Sequence, residues 1–166
     1  MNLSKREATM RKLWALSLLT GTAIIFLVIE SHAQQSEQAL RALVPRIVAS
    51  WETFDLSKIE PYYAADPDLT YFDLAPLKYN NWAEYRATVR KVLFEPNSSL
   101  KLKMNDDLRV HSRGSPAWAT FTFGADITNK QGATSHLDGR WTMILEKRAG
   151  GWIVVHEHVS APLGAS

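Results

Sequence analysis

The strongest constraint on this chain lies near its end. From Gly139 to Pro162 it reads GRWTMILEKRAGGWIVVHEHVSAP, two runs in which apolar and polar residues alternate around Ala149-Gly150-Gly151. Alternation at period two is the pattern of half-buried strands, and a glycine pair between two such runs marks a β-hairpin. A two-stranded ribbon is not stable alone in water, so the upstream chain must cover one of its faces.

The same period continues ahead of the hairpin. Leu100, Leu102 and Met104 alternate with Lys101 and Lys103, and Ala119, Phe121, Phe123 and Ala125 alternate with Trp118, Thr120 and Thr122. Four long strands joined by short turns predict an antiparallel sheet, with Asn105-Asp106-Asp107 as a bulge or bend in the first. Before Pro96 the period is helical. Leu40, Leu43, Val44, Ile47, Val48 and Trp51 form one stripe, with Pro45 either kinking the helix or marking its first well-ordered turn. Asp55 is a good cap for a short second helix reaching about Tyr63. Leu69 to Asp73 reads as a short strand after the Asp66-Pro67-Asp68 break, and Leu74 to Asn80 as a loop. Asn81 with Glu84 resembles a capping box for a third helix that carries Trp82, Tyr85, Val89 and Val92 on one side. Helices first and strands after predict an α+β fold, a curved sheet wrapped over about three helices.

The first thirty-three residues have the three-part form of an export signal. Lys5, Arg6, Arg11 and Lys12 precede an apolar run from Leu13 to Ile29, and Ser31-His32-Ala33 offers a cleavage site. Residues 34–166 then form one domain, periplasmic or secreted; the alternative is an uncleaved segment retained as a membrane anchor, the only membrane contact expected. Of 19 Lys and Arg and 17 Asp and Glu, four and two fall in that segment, so the remaining chain is balanced in charge. No nucleic-acid partner is expected, because phosphate binding needs uncompensated basic clusters. Cys is absent, which removes disulfides, thiolate metal sites and cysteine nucleophiles together.

Two blocks carry a family resemblance: Asp66-Pro67-Asp68-Leu69-Thr70-Tyr71-Phe72-Asp73, and Thr142 through the turn to Trp152, His156, His158, Ser160, Ala161 and Pro162. They resemble the SnoaL-like group of the nuclear transport factor 2 superfamily, most closely the association domain of calcium/calmodulin-dependent protein kinase II. The resemblance implies a cone-shaped sheet on three helices, a scaffold that hosts isomerases, cyclases, dehydratases and association modules alike.

Which hairpin face lines the cone depends on the turn. A three-residue loop with Gly150 in the left-handed position puts the odd-numbered residues of both strands on one face, whereas a two-residue turn mixes the faces. The odd set, Trp141, Met143, Leu145, Ile153, Val155, Glu157 and Val159, is the more apolar, so we expect the three-residue loop with that set inside. By the resemblance, pocket arginines of the kinase domains fall at Phe123, Met143 and Val159 here, and a pocket histidine at Tyr85. A carboxylate ligand would need such cations. The expected pocket is therefore apolar, lined by Tyr71, Trp82, Phe121, Phe123, Trp141, Met143, Val155 and Val159, and suited to a small apolar or aromatic molecule.

Glu157 on that inner face would have a raised pKa, and with Tyr85 as a donor it would form an acid–base pair; Asp73 has a similar claim. The plainer alternative puts Glu157 at a solvated rim, with Tyr85 only packing. His156 and His158 share the opposite face and would chelate a metal only with a third ligand such as His111 or His136, so we expect structural hydrogen bonds and no metal or other cofactor. Arg140 should pair with Asp138 on the surface. With the other register, Arg140, His156 and His158 would be the pocket's polar groups. Trp118, Trp152 and Thr142 on the outer face predict a homodimer interface. Two functions follow: an exported homodimeric binding or association module for a small apolar ligand, or a cofactor-independent isomerase, cyclase or dehydratase using Glu157 with Tyr85 or Asp73.

Overall fold

The computed structural model describes residues 33–74 and 76–162. The expected export signal lies outside these residues except for Ala33. No described helix is long and apolar enough to cross a membrane.

Residues 33–51 form helix α1, which runs through Pro45, an exposed position, and buries Leu40, Val44, Ile47, Val48 and Trp51. Helix α2 is a single turn, Leu56–Ile59, capped by the Asp55 carboxylate accepting from Ser57 N at 3.0 Å, and a 3-10 turn at Glu60–Tyr62 extends it with Pro61 near its start. Helix α3, Trp82–Val89, begins where expected. The Asn81 side chain accepts from Glu84 N at 2.9 Å, and the Glu84 carboxylate reaches back to Asn80 N at 2.9 Å.

After Val89 the helix widens into a π turn, Arg90–Phe94. The extra residue in that turn rotates the following side chains, so Val92, expected on the buried side, is 54% exposed and Leu93 packs on the core in its place. The predicted strand Leu69 to Asp73 shrinks to isolated bridges, Tyr71 to Tyr79 and Phe72 to His158. Two turns, one at Pro67-Asp68 and one beyond Asp73, leave it no room to extend.

The sheet contains β1 (Asn97–Met104), β2 (Arg109–His111), β3 (Ala117–Asn129), β4 (Thr134–Arg148) and β5 (Gly151–Ser160), all paired antiparallel in the order β1-β3-β4-β5 with β2 also on β3. The fifth strand is the outcome of the Asn105-Asp106-Asp107 break. β1 and β2 pair with successive stretches of β3, and Asp107 bridges the interruption by accepting from Thr122 N at 3.0 Å and Thr122 Oγ1 at 2.8 Å. At the free edge of β1, Glu52 in the turn after α1 accepts from Leu102 N at 2.7 Å, which occupies a donor that a foreign strand would otherwise meet.

The hairpin turn differs from expectation. Arg148 pairs with Gly151 across a two-residue turn, and the positive φ of +118° falls at Gly151 instead of Gly150. A two-residue turn alone would have mixed the faces, as Leu145 opposite Val154 shows. Val155 then bulges out of register, because Ile144 pairs with His156. Beyond the bulge odd faces odd again: Met143 opposes Glu157 and Trp141 opposes Val159, all buried. Ile153 is the residue that loses its inner position, to Val154.

Where β3 passes β4, Phe123 lies across Gly139, whose missing side chain makes the space; a Cβ there would stand 2.5 Å from Phe123 Cζ. Gly139→Ala is accordingly expected to destabilise the fold by on the order of 1–3 kcal/mol through overpacking. Chemical denaturation of the two proteins checks this, and equal midpoints would show that the ring yields freely.

Candidate functional site

Beyond the bulge, β5 carries Glu157 into the interior, where it is fully buried. Its carboxylate accepts three hydrogen bonds: Tyr63 Oη to Oε2 at 2.7 Å, Trp141 Nε1 to Oε2 at 3.0 Å, and Tyr85 Oη to Oε1 at 2.5 Å. Tyr63 Oη itself accepts from Trp51 Nε1 at 3.0 Å. The donors come from α1, the end of the 3-10 turn, α3 and β4. Their rings pack mainly edge to face or tilted, with Tyr63 stacked on Trp82 at 4.4 Å and Tyr79 on Tyr85 at 4.5 Å.

No ion pair among the described residues reaches Glu157. Burial pushes its carboxyl from an ordinary 4.5 up to about 7, against the pull of the hydrogen bonds from Tyr85, Tyr63 and Trp141. Burial first, and then the neighbouring carboxylates, drives Tyr85 well above the usual phenol range, and burial with Glu157 does the same to Tyr63, so both phenols remain neutral donors. Asp73, half-buried in the loop after Phe72, is also raised by burial.

Tyr85 Oη lies 3.3 Å from Asp73 Oδ2 as well as 2.5 Å from Glu157. A phenol has one proton. For both contacts to be hydrogen bonds, one of the two carboxyls must carry a proton and donate it to Tyr85. The chain then reads either Asp73-H to Tyr85 to Glu157 carboxylate, or Glu157-H to Tyr85 to Asp73 carboxylate. The two forms differ only by a concerted shift of two protons, which moves the negative charge between the deep interior and Asp73.

Asp73 and Tyr85 form the polar end of an open cavity of about 90 Å³. Its other walls are Trp51, Leu74, Leu93, Leu100, Leu102, Phe123, Ala125, Ile127, Leu137, Trp141 and Val159. Of the expected pocket residues, Phe123, Trp141 and Val159 line it. Tyr71, Trp82, Phe121, Met143 and Val155 are buried but do not, because the neighbouring side chains fill the space in front of them. Glu157 is likewise behind the wall, reached through Tyr85, so the solvated-rim alternative does not hold. Leu93 entered the wall through the π turn, which apolar spacing alone does not signal.

On the opposite face, His156 Nδ1 lies 2.7 Å from Thr70 O, and both His156 and His158 pack edge-on against Phe72. Trp118 is 45% exposed and stacks on His111; Trp152 and Thr142 are half-buried. Arg140 is exposed, and its expected partner Asp138 instead lies 3.3 Å from His136, which also meets Asp126 at 2.7 Å. Among the described residues, no three His, Asp or Glu side chains are grouped to hold a metal ion. Sequence reasoning missed Tyr63 and the indole donors of Trp51 and Trp141; a buried carboxylate needs donors, but the sequence does not say which aromatic residues supply them.

The sequence matches the family profile of the SnoaL-like domain over residues 40–164. No curated protein matches it. Among solved structures the chain is similar to a nuclear transport factor 2-like superfamily protein from Salmonella enterica serovar Typhimurium, at 20% identity over 80% of this chain and 95% of that one, with a TM-score of 0.72. A nuclear transport factor 2-like protein of unknown function from Pseudomonas putida KT2440 follows at 23% identity, 80% and 91% coverage and a TM-score of 0.67. The association domain of C. elegans calcium/calmodulin-dependent protein kinase II is similar at 16% identity, 78% and 98% coverage and a TM-score of 0.60. These identities establish a shared fold. The kinase domain stands below the Salmonella protein in this comparison, so the expected special nearness to it is not upheld.

The buried acid makes stability depend on pH. Between 4.5 and about 7 the folded protein retains a proton on Glu157 that the unfolded chain has released. Stability is thus fully present below the lower value and is lost as pH rises through the upper one, a swing on the order of 3 kcal/mol. Denaturant unfolding at pH 5 and pH 8 should show this loss in the wild type and its near absence in Glu157→Gln. An equal loss in both proteins would assign it to other groups.

Proposed function

Since the chain belongs to the SnoaL-like domain family, we propose that it is an exported, self-associating binding domain whose cavity between α1, α3 and the sheet takes one small, compact, largely apolar molecule. The observation that carries this reading is the cavity itself: aliphatic and aromatic walls with a single polar end at Asp73 and Tyr85. Such walls supply non-directional affinity and the polar end fixes orientation. At about 90 Å³ it suits a molecule of a few heavy atoms.

A second reading, acid–base catalysis without a cofactor, is favoured by one specific observation, the Tyr85 hydroxyl shared by Asp73 and Glu157. Asp73 would take a proton from a bound carbon acid, and Tyr85 with Glu157 would adjust the charge behind it.

One titration tests both. Cyclopentanone added in H2O is expected to shift the indole N–H signals of Trp51 and Trp141 saturably, and Ala125→Leu, which fills the cavity, should abolish the shift; the same mixtures in D2O report exchange. Deuterium entering the ketone faster with wild type than with Tyr85→Phe would support catalysis; binding without enhanced exchange would leave the binding domain alone standing. Unmoved indole signals would count against the cavity as a ligand site for this class of molecule.

Self-association through the outer sheet face belongs to the same proposal, supported by exposed Trp118 beside half-buried Trp152 and Thr142. In sedimentation velocity the residue 34–166 domain should run as a dimer and Trp118→Lys as a monomer, since a two-fold interface would juxtapose the new charges. A monomeric wild type would remove this part of the proposal.

A further inference from the structure

We infer that the cavity selects small organic cations, amines carrying a compact apolar body, over neutral or anionic molecules of the same shape. This inference rests on the reading of the cavity as a ligand site and narrows its ligand class.

Among the described residues the walls contain no Lys, Arg or His, and Asp73 and Tyr85 are their only ionisable groups. Nor does any cation pair with Asp73 or with Glu157 behind it, among the described residues. The Asp73–Tyr85–Glu157 chain can therefore hold a negative charge that the protein leaves uncompensated. A carboxylate facing an apolar cavity has two remedies, protonation or an incoming cation. The chain has a form that serves the second: with the proton on Glu157 and Tyr85 donating outward, the charge sits on Asp73 at the cavity wall.

The other walls match the same ligand. Trp51, Tyr85, Phe123 and Trp141 line the same cavity as Asp73, and the Tyr85 hydroxyl lies 3.3 Å from its carboxylate. Aromatic faces attract an ammonium group through their quadrupoles, and indole does so most strongly. An ammonium would thus meet a carboxylate and π faces, while its alkyl body would meet Leu93, Leu100, Leu102 and Val159. A carboxylate ligand would meet only repulsion at the polar end, and an alcohol would gain an ordinary hydrogen bond without the charge-assisted one.

The test is a matched series, n-butylamine, 1-butanol and butyrate, titrated at pH 7.5 and followed by the indole N–H signals of Trp51 and Trp141. Butylamine is expected to bind about tenfold more tightly than 1-butanol, the scale of one charge-assisted contact, and butyrate not measurably. In Asp73→Asn the amine and alcohol should become equal. Should that variant fail to fold, the wild type supplies the same comparison: acidification protonates Asp73, so the amine-to-alcohol ratio must fall toward one. Of the titratable groups around Asp73, Tyr85 and Tyr79 stay neutral as pH falls, and Glu157 shares its charge with Asp73 through Tyr85. The ratio therefore reads protonation of the linked pair, while Asp73→Asn isolates Asp73. Equal binding of amine and alcohol, tighter binding of butyrate, or an amine preference that survives Asp73→Asn would overturn the inference and leave the ligand site standing. Failure of all three probes to move either indole would overturn both.

Discussion

A carboxylate buried with no cation beside it among the described residues is the constraint on which this structure turns. Removing Glu157 from water costs several kcal/mol unless its lone pairs are occupied. Here they are occupied by a phenol from the end of the 3-10 turn, a phenol from α3 and an indole from β4, with a second indole from α1 behind the first phenol. Each layer of the fold thus contributes a polar atom to one point. Loss of any donor would leave an unsatisfied buried acceptor, a cost of about 1–3 kcal/mol that falls on the packing of the whole aromatic cluster.

Much of this architecture was legible in the sequence because it rests on local rules. The two-residue period of the strands, the Asn81 and Asp55 caps and the stripe of Leu40, Val44, Ile47 and Trp51 each depend on neighbouring residues. What escaped was non-local or arose from one-residue irregularities. The π turn exchanged Val92 for Leu93, and the Asp107 bridge split one strand into two. The inward placement of Glu157 came out as expected although the turn did not, since the Val155 bulge restored the parity that the shorter turn had upset. Tyr63 stands 94 residues from the carboxylate that it serves, and no period connects them.

The site was legible in its chemistry more than in its geometry. Glu157, Tyr85 and Asp73 do converge, but in an unforeseen order. Asp73 and Tyr85 face the cavity, and Glu157 stands behind them. Five of the eight expected lining residues are instead buried away from the cavity. An apolar inner-face residue can line a void or fill it, and alternation along a strand does not distinguish the two, because the outcome depends on side-chain volumes supplied by other elements.

The bulge at Val155 has a consequence for how this hairpin can vary in length. Without that residue, β4 and β5 would run in one unbroken register from the two-residue turn, and Glu157 would still oppose Met143. Val155 is therefore an insertion whose effect on the β4 pairing ends where it occurs. The turn half and the acid-bearing half of the hairpin thus keep the same partners on β4 with or without a residue here. The opposite edge of β5, held at Val154 by Ala64 and at Glu157 by Phe72, is where a change in length would have to be absorbed.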